Sequence, residues 1–146
     1  MRWTLATCAA LMLAAPAAHA WQAGQEGAIC TLTHSEGGID IRLTHDPGPP
    51  LWTITVTAPE PWPEAASFGI AFLGGAEITI TTDRHSLSAE GRALSVADRG
   101  FGNVLAGLSE NAQAVFFTGD AQYSASLDGA APEVAAFAAC GISPSV

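Results

Sequence analysis

The sequence predicts a β-rich, antiparallel sandwich or flattened barrel of about eight strands, with two short helices and one disulfide. Three observations carry this. The hydrophobic period is mostly two, turn chemistry recurs at short intervals, and two cysteines lie near the two ends of the chain once its leader is set aside. Strict alternation puts one row of side chains in the core and the other in water, and many short strands punctuated by turns close into a sandwich or barrel.

The spacing predicts strands over 28–34, 38–45, 51–58, 68–73, 76–82, 93–97, 113–118 and 122–127. In 38–45, Ile39, Ile41 and Leu43 alternate with Asp40, Arg42 and Thr44. In 51–58, Trp52, Ile54 and Val56 alternate with Thr53, Thr55 and Thr57. In 76–82, Ile78 and Ile80 alternate with Glu77, Thr79 and Thr81. The Thr rows are expected in water and the Ile, Val and Trp rows in the core. The breaks are turns. Gly37-Gly38 precedes one strand, and Asp46-Pro47-Gly48-Pro49-Pro50 ends it because proline cannot donate to a ladder. Pro59-Glu60-Pro61-Trp62-Pro63 is a stiff extended segment, and Gly74-Gly75 reads as a hairpin turn. Two stretches have helical spacing. Phe101–Asn111 carries Val104, Leu105 and Leu108, and Ala131–Cys140 carries Val134, Phe137 and Ala138 with Pro132 in its first turn.

Residues 1–20 read as a secretory signal peptide. Met1-Arg2 is a short positive start, an uncharged Ala- and Leu-rich run follows, and Ala18-His19-Ala20 is a small-x-small cleavage site before Trp21. The apolar run is shorter than the ~20 residues a membrane span needs. The expectation is a single β-rich domain over 21–146, periplasmic or secreted, with no membrane span.

The 146-residue chain has a formal net charge of −9 and contains no lysine. Past the leader its cations are Arg42, Arg84, Arg92 and Arg99, set against fourteen Asp and Glu. Nucleic-acid binding requires clustered cations that displace counterions from phosphates, so no nucleic acid is expected as a partner. A phosphate-binding loop ending in Gly-Lys-Ser/Thr is excluded because its lysine is absent. Cys8 belongs to the leader. Cys30 and Cys140 remain, and an even count in an exported chain implies a disulfide between them. No Cys-x-x-Cys motif is present, so the pair is structural in this reading and not redox-active.

Four clusters bear on function. The densest is Asp98-Arg99-Gly100-Phe101-Gly102-Asn103. As a ligand loop it would use Phe101 as a stacking wall, with Asp98, Arg99 and Asn103 as polar anchors. As architecture it would be a strand-to-helix connection, with unusual backbone angles at Gly100 and Gly102 and Asn103 capping the helix. Asp83-Arg84-His85-Ser86 holds the residue types of a hydrolytic triad. Adjacent positions do not converge as a triad must, so the stretch reads as a polar turn with Arg84 paired to a carboxylate. His34, His45 and His85 lack zinc-site spacing and read as surface histidines at strand ends, so neither metal nor cofactor is expected. Trp62 is either an exposed binding aromatic or a lid folded over the core, beside Trp52, Phe68 and Phe72 as further aromatics.

The succession Trp62-Pro63, Phe68-Gly69-Ile70-Ala71-Phe72, Thr82-Asp83-Arg84-His85 and Ala97-Asp98-Arg99-Gly100-Phe101-Gly102-Asn103-Val104-Leu105 resembles a group of small uncharacterised exported proteins of alphaproteobacteria. This resemblance spans most of the chain after the leader and implies no activity. Ser126-Leu127-Asp128-Gly129 leading into the Ala-rich Ala130–Ala139 is similar to the end of the invasion-associated locus B family. That similarity covers about a fifth of the chain and implies a periplasmic β-rich domain with no established catalytic residues. The chain departs from the family in cysteine placement and acidity, so the resemblance implies a fold and no site.

The function expected is a non-enzymatic periplasmic domain that binds a protein or envelope component. A small-molecule binder using a barrel mouth or sandwich cleft is the alternative, and a hydrolase ranks last. Mass spectrometry of periplasmic material should find the mature chain starting at Trp21. Intact Met1 in the cytoplasm would remove the compartment argument.

Overall fold

A computed structural model describes residues 20–141, so the expected signal peptide lies outside the described residues apart from Ala20. The strands are β1 (Gln22–Glu26), β2 (Ile29–Glu36), β3 (Ile39–Asp46), β4 (Leu51–Thr57), β5 (Phe68–Leu73), β6 (Ile78–Thr82), β7 (Ser86–Ser88), β8 (Ala93–Asp98), β9 (Gln113–Thr118) and β10 (Ala121–Ser126). The helices are α1 (Gly102–Glu110) and α2 (Ala130–Ala139). A six-stranded sheet runs β1-β2-β3-β4-β8-β7 and a four-stranded sheet runs β10-β9-β5-β6, each antiparallel throughout. Of the two architectures expected, an antiparallel sandwich or a flattened barrel of about eight strands, the chain forms two antiparallel sheets of ten strands in all, with the two helices and the disulfide as expected.

All eight predicted strands form, with ends shifted by two residues at most. The sequence pattern missed two. β1 has no apolar alternation and exists because its backbone pairs with β2 over five residues. β7 is only three residues long, too short to show a period.

Period two decides the core. β2 turns Cys30, Leu32 and His34 inward, β3 turns Ile39, Ile41, Leu43 and His45, and β4 turns Trp52, Ile54 and Val56. Phe68, Ile70 and Phe72 of β5 and Ala114 and Phe116 of β9 meet them from the other sheet in one buried cluster. Each fully buried Leu, Ile or Phe side chain contributes about 1.5–3 kcal/mol relative to exposure. Gly107 of α1 rests on the Phe72 ring, where an added Cβ would collide.

Two expectations fail here. His34 and His45 are not surface residues, because the inward rows of β2 and β3 continue to them. Each is buried against an indole, His34 stacked on Trp21 at 4.5 Å and His45 on Trp52 at 3.6 Å between ring centroids. Ile78 is not core. It belongs to the inward row of β6, opposite Phe72, yet it is 37% exposed because the facing layer does not reach this sheet edge.

Cys30, His45, Trp52 and Asp98 occupy matched positions across β2, β3, β4 and β8, forming one transverse row on the inner face. The helices are fastened over it. Cys30 is bonded to Cys140 just after α2, with Cα atoms 6.0 Å apart. Trp52 meets Phe137 of α2 edge-on at 5.5 Å and Phe101, which caps α1, at 6.3 Å. α2 also reaches β1, where the Ala23 amide donates to Glu133 Oε2 at 2.8 Å.

Cross-linking residues 110 apart removes about 4–5 kcal/mol of loop entropy from the unfolded chain in the loop-closure model. Replacing Cys30 and Cys140 by serine should therefore lower the unfolding free energy by ~2–5 kcal/mol in denaturant titrations. Free thiols in the freshly isolated native protein would refute the staple.

Candidate functional site: a cleft between the sheets

The sandwich gapes where β6 edges one sheet and β8 lies near the margin of the other. The gap holds a cavity of about 440 Å³. Ile54 and Val96 floor it from the six-stranded sheet, Phe68, Ile70 and Ile80 line it from the four-stranded sheet, and Gly100–Val104 close one side. The lining is apolar inside and polar at the mouth, where Thr81, Thr82, Arg84, Asp98 and Asn103 gather.

Local rules place each of these groups. Asp98 continues the inward row of β8 after Leu94 and Val96, so its carboxylate points into the space between the layers at the end of the strand. Arg84 follows β6, and its guanidinium donates to Asp98 Oδ2 at 2.8 Å across the mouth of the cleft. The Arg84 amide donates to Thr82 Oγ1 at 3.1 Å, which fixes where the side chain sets out. The backbone N–H of Arg99 donates to Asp98 Oδ1 at 2.7 Å. That amide is the main reason the Asp98 carboxyl is held below the ordinary carboxylate range. Partial burial opposes it, and Arg84 and then the Arg99 charge reinforce it.

The residues singled out by sequence divide accordingly. Asp98, Phe101 and Asn103 come together on the cleft, as a ligand loop requires. Arg99 does not, since its side chain is exposed and does not line the cavity, and the cation at the mouth is Arg84. The helix cap is Phe101 and not Asn103, because α1 begins at Gly102 and no side chain bonds its first amides. Neither Gly100 nor Gly102 adopts a positive φ. Of the two expectations for Trp62, the structure has the core aromatic and not the exposed one. Trp62 is 3% exposed, its Nε1 donates to Val56 O at 3.1 Å, and its ring stands edge-on to Tyr123 and Phe68. The proline segment carries the chain from β4 in one sheet to β5 in the other, and this crossing folds Trp62 beneath the core.

No family model matches the chain, and neither does any curated protein or solved structure. What the cleft does must be read from its own chemistry.

The sequence pattern does not mark Ile80, Thr82 and Val96 as site residues, and the carboxylate expected to pair with Arg84 in its polar turn proves to be Asp98. The available signal was the two opposite charges at the ends of two inward rows, Arg84 after β6 and Asp98 at the end of β8. The cleft can accept an apolar group of ligand size, since such sites commonly enclose ~300–1,000 Å³. The guanidinium and the Asn103 amide would meet polar atoms at its entrance.

Because the folded pKa of Asp98 is lowered, the Arg84–Asp98 clasp is complete above the ordinary carboxylate pKa of ~4 and is lost as pH falls through the lower folded value. Following the Asp98 carboxyl by NMR should give a midpoint below that of an unstructured aspartate, moving upward in Arg84→Ala. An unchanged midpoint in that variant would show that Arg84 does not hold the carboxylate.

Proposed function

We propose that this chain is a non-catalytic binding domain of the periplasm, which engages a protein or envelope component by seating an apolar group in the cleft between its sheets. The observation that carries the reading is the cavity of about 440 Å³ lined by Ile54, Phe68, Ile70, Ile80 and Val96 with a charged pair at its mouth. Apolar clefts with a few convergent polar groups are the usual form of a recognition site. The charged pair favours binding over chemistry. Asp98 accepts from both Arg84 and the Arg99 amide, so it is a poor base, and among the described residues no histidine, cysteine or serine lines the cavity. The disulfide and the signal-like leader fit export into an oxidising compartment.

The same volume favours a second reading, a small-molecule binder with an apolar body and a polar head. One experiment tests the cleft for both. A solvatochromic anilinonaphthalene dye should brighten on mixing with the purified protein. Val96→Phe should abolish that response by filling the floor, at an overpacking cost of ~1–3 kcal/mol and with unchanged far-UV circular dichroism. A dye response that survives Val96→Phe would place the apolar site elsewhere and sink the proposal.

A further inference from the structure

The two sheets have four edge strands, of which two are blunted or covered and a third, β10, is engaged only at its end. β1 carries Glu26, ion-paired with Arg42, and gives its Ala23 amide to Glu133 of α2. β10 ends with both backbone groups of Ser126 engaged, the amide donating to Glu36 Oε2 and the carbonyl accepting from Trp21 Nε1. β7 is three residues long. β6 has no such protection along Ile78–Thr82, although Ala76 just before it is tied to the end of α1 by the Ala76 amide donating to Glu110 O. It reads Ile-Thr-Ile-Thr-Thr, without charge, proline or break in its register with β5. Among the described residues no hydrogen bond engages its backbone on the side away from β5. Exposed edges of this kind are templates for another strand, which is why proteins usually charge, shorten or cover them.

This open edge is also a lip of the cleft, lined by Ile80, Thr81 and Thr82. A strand laid beside β6 would turn every second side chain toward the same inner face as Ile78 and Ile80. One of those side chains would cover Ile78, which the facing layer leaves exposed at an inward position, and a neighbour would enter the cleft. Acidic residues bracket the edge, Glu77 before β6 and Asp83 after it, both exposed, on a chain of net charge −9.

We propose that β6 receives an extended segment of a partner protein as an added strand, with apolar side chains at alternate positions and basic residues at its flanks. Backbone pairing with β6 would supply affinity, the cleft would select the inserted side chain, and Glu77 and Asp83 would select the charge. The inference rests on the reading of the cleft as the binding site and adds the class and pose of the partner.

The test uses the mature protein and the peptide Lys-Lys-Val-Thr-Val-Thr-Val-Lys-Lys, followed by NMR and amide hydrogen exchange. The expected result is saturable binding that shifts the amides of residues 78–82 and slows exchange at alternate ones. Binding should be lost when alternate peptide nitrogens are methylated and weakened when glutamate replaces the flanking lysines. Glu77→Lys with Asp83→Lys should reverse that charge preference without changing the fold. Absence of binding, or binding that leaves the amides of 78–82 untouched, overturns the proposal. So does protection of β6 that appears without peptide and grows with protein concentration, because the occupant would then be a second copy. Dye uptake blocked by Val96→Phe, together with no strand pairing, would leave the cleft reading standing and remove only this one. Failure of both dye and peptide would remove both.

Discussion

The disulfide between Cys30 and Cys140 ties the last helix to the transverse row Cys30, His45, Trp52 and Asp98, and most of what distinguishes this sandwich follows from that row. Each of the four faces the interlayer space at one level of the sheet. The first is bonded to the chain just beyond α2, the second stacks on the third, and the third packs on Phe137 and Phe101. The fourth is the charged end of the row and opens into the cleft. A covalent tie at one end of the row and an ion pair at the other thus frame one layer of packing. The tie acts mainly on the unfolded chain, whereas the aromatic contacts act on the native state.

Two sheets of six and four strands cannot cover each other completely. On the β1–β2 side, α2 and Trp21 fill the difference, and Trp21, the expected first residue of the mature chain, is itself core. On the β6 side only α1 is available, its start beside the cleft and its end tied to Ala76 just before the strand. The inward row of β6 is then incompletely roofed, Ile78 is exposed, and a cavity persists beside Val96 and Ile80. The cleft is a consequence of unequal sheet width, and the Arg84–Asp98 pair spans the place where the layers diverge. An exposed ion pair contributes little to stability, so its interest lies in where it stands.

Burial changes the meaning of several side chains. Trp62 sits in a stiff proline-rich stretch that could have presented it for binding, and yet it serves as a core aromatic, hydrogen-bonded to Val56 O. Arg99 stands in the densest charged motif and contributes only its backbone amide, while Arg84, in a turn read as merely polar, supplies the cation. A side chain's neighbours across a sandwich are fixed by which strands meet, and local motifs are blind to that.

By itself the sequence determined the elements and their faces. Alternation in 38–45 and 51–58 specified which side chains of β3 and β4 point inward, since a one-residue slip would move the whole apolar row into water. The same rule, carried two residues further, would have put His45 in the core and Asp98 toward the interlayer space, where a surface histidine and a loop residue were expected instead. The cysteine count specified the staple. Only the tertiary structure decided that β6 ends as an open edge, that β8 inserts beside β4, and that Arg84 and Asp98 meet. Those outcomes depend on strand order and sheet width. Both arise from long-range pairing among segments whose local patterns are nearly interchangeable.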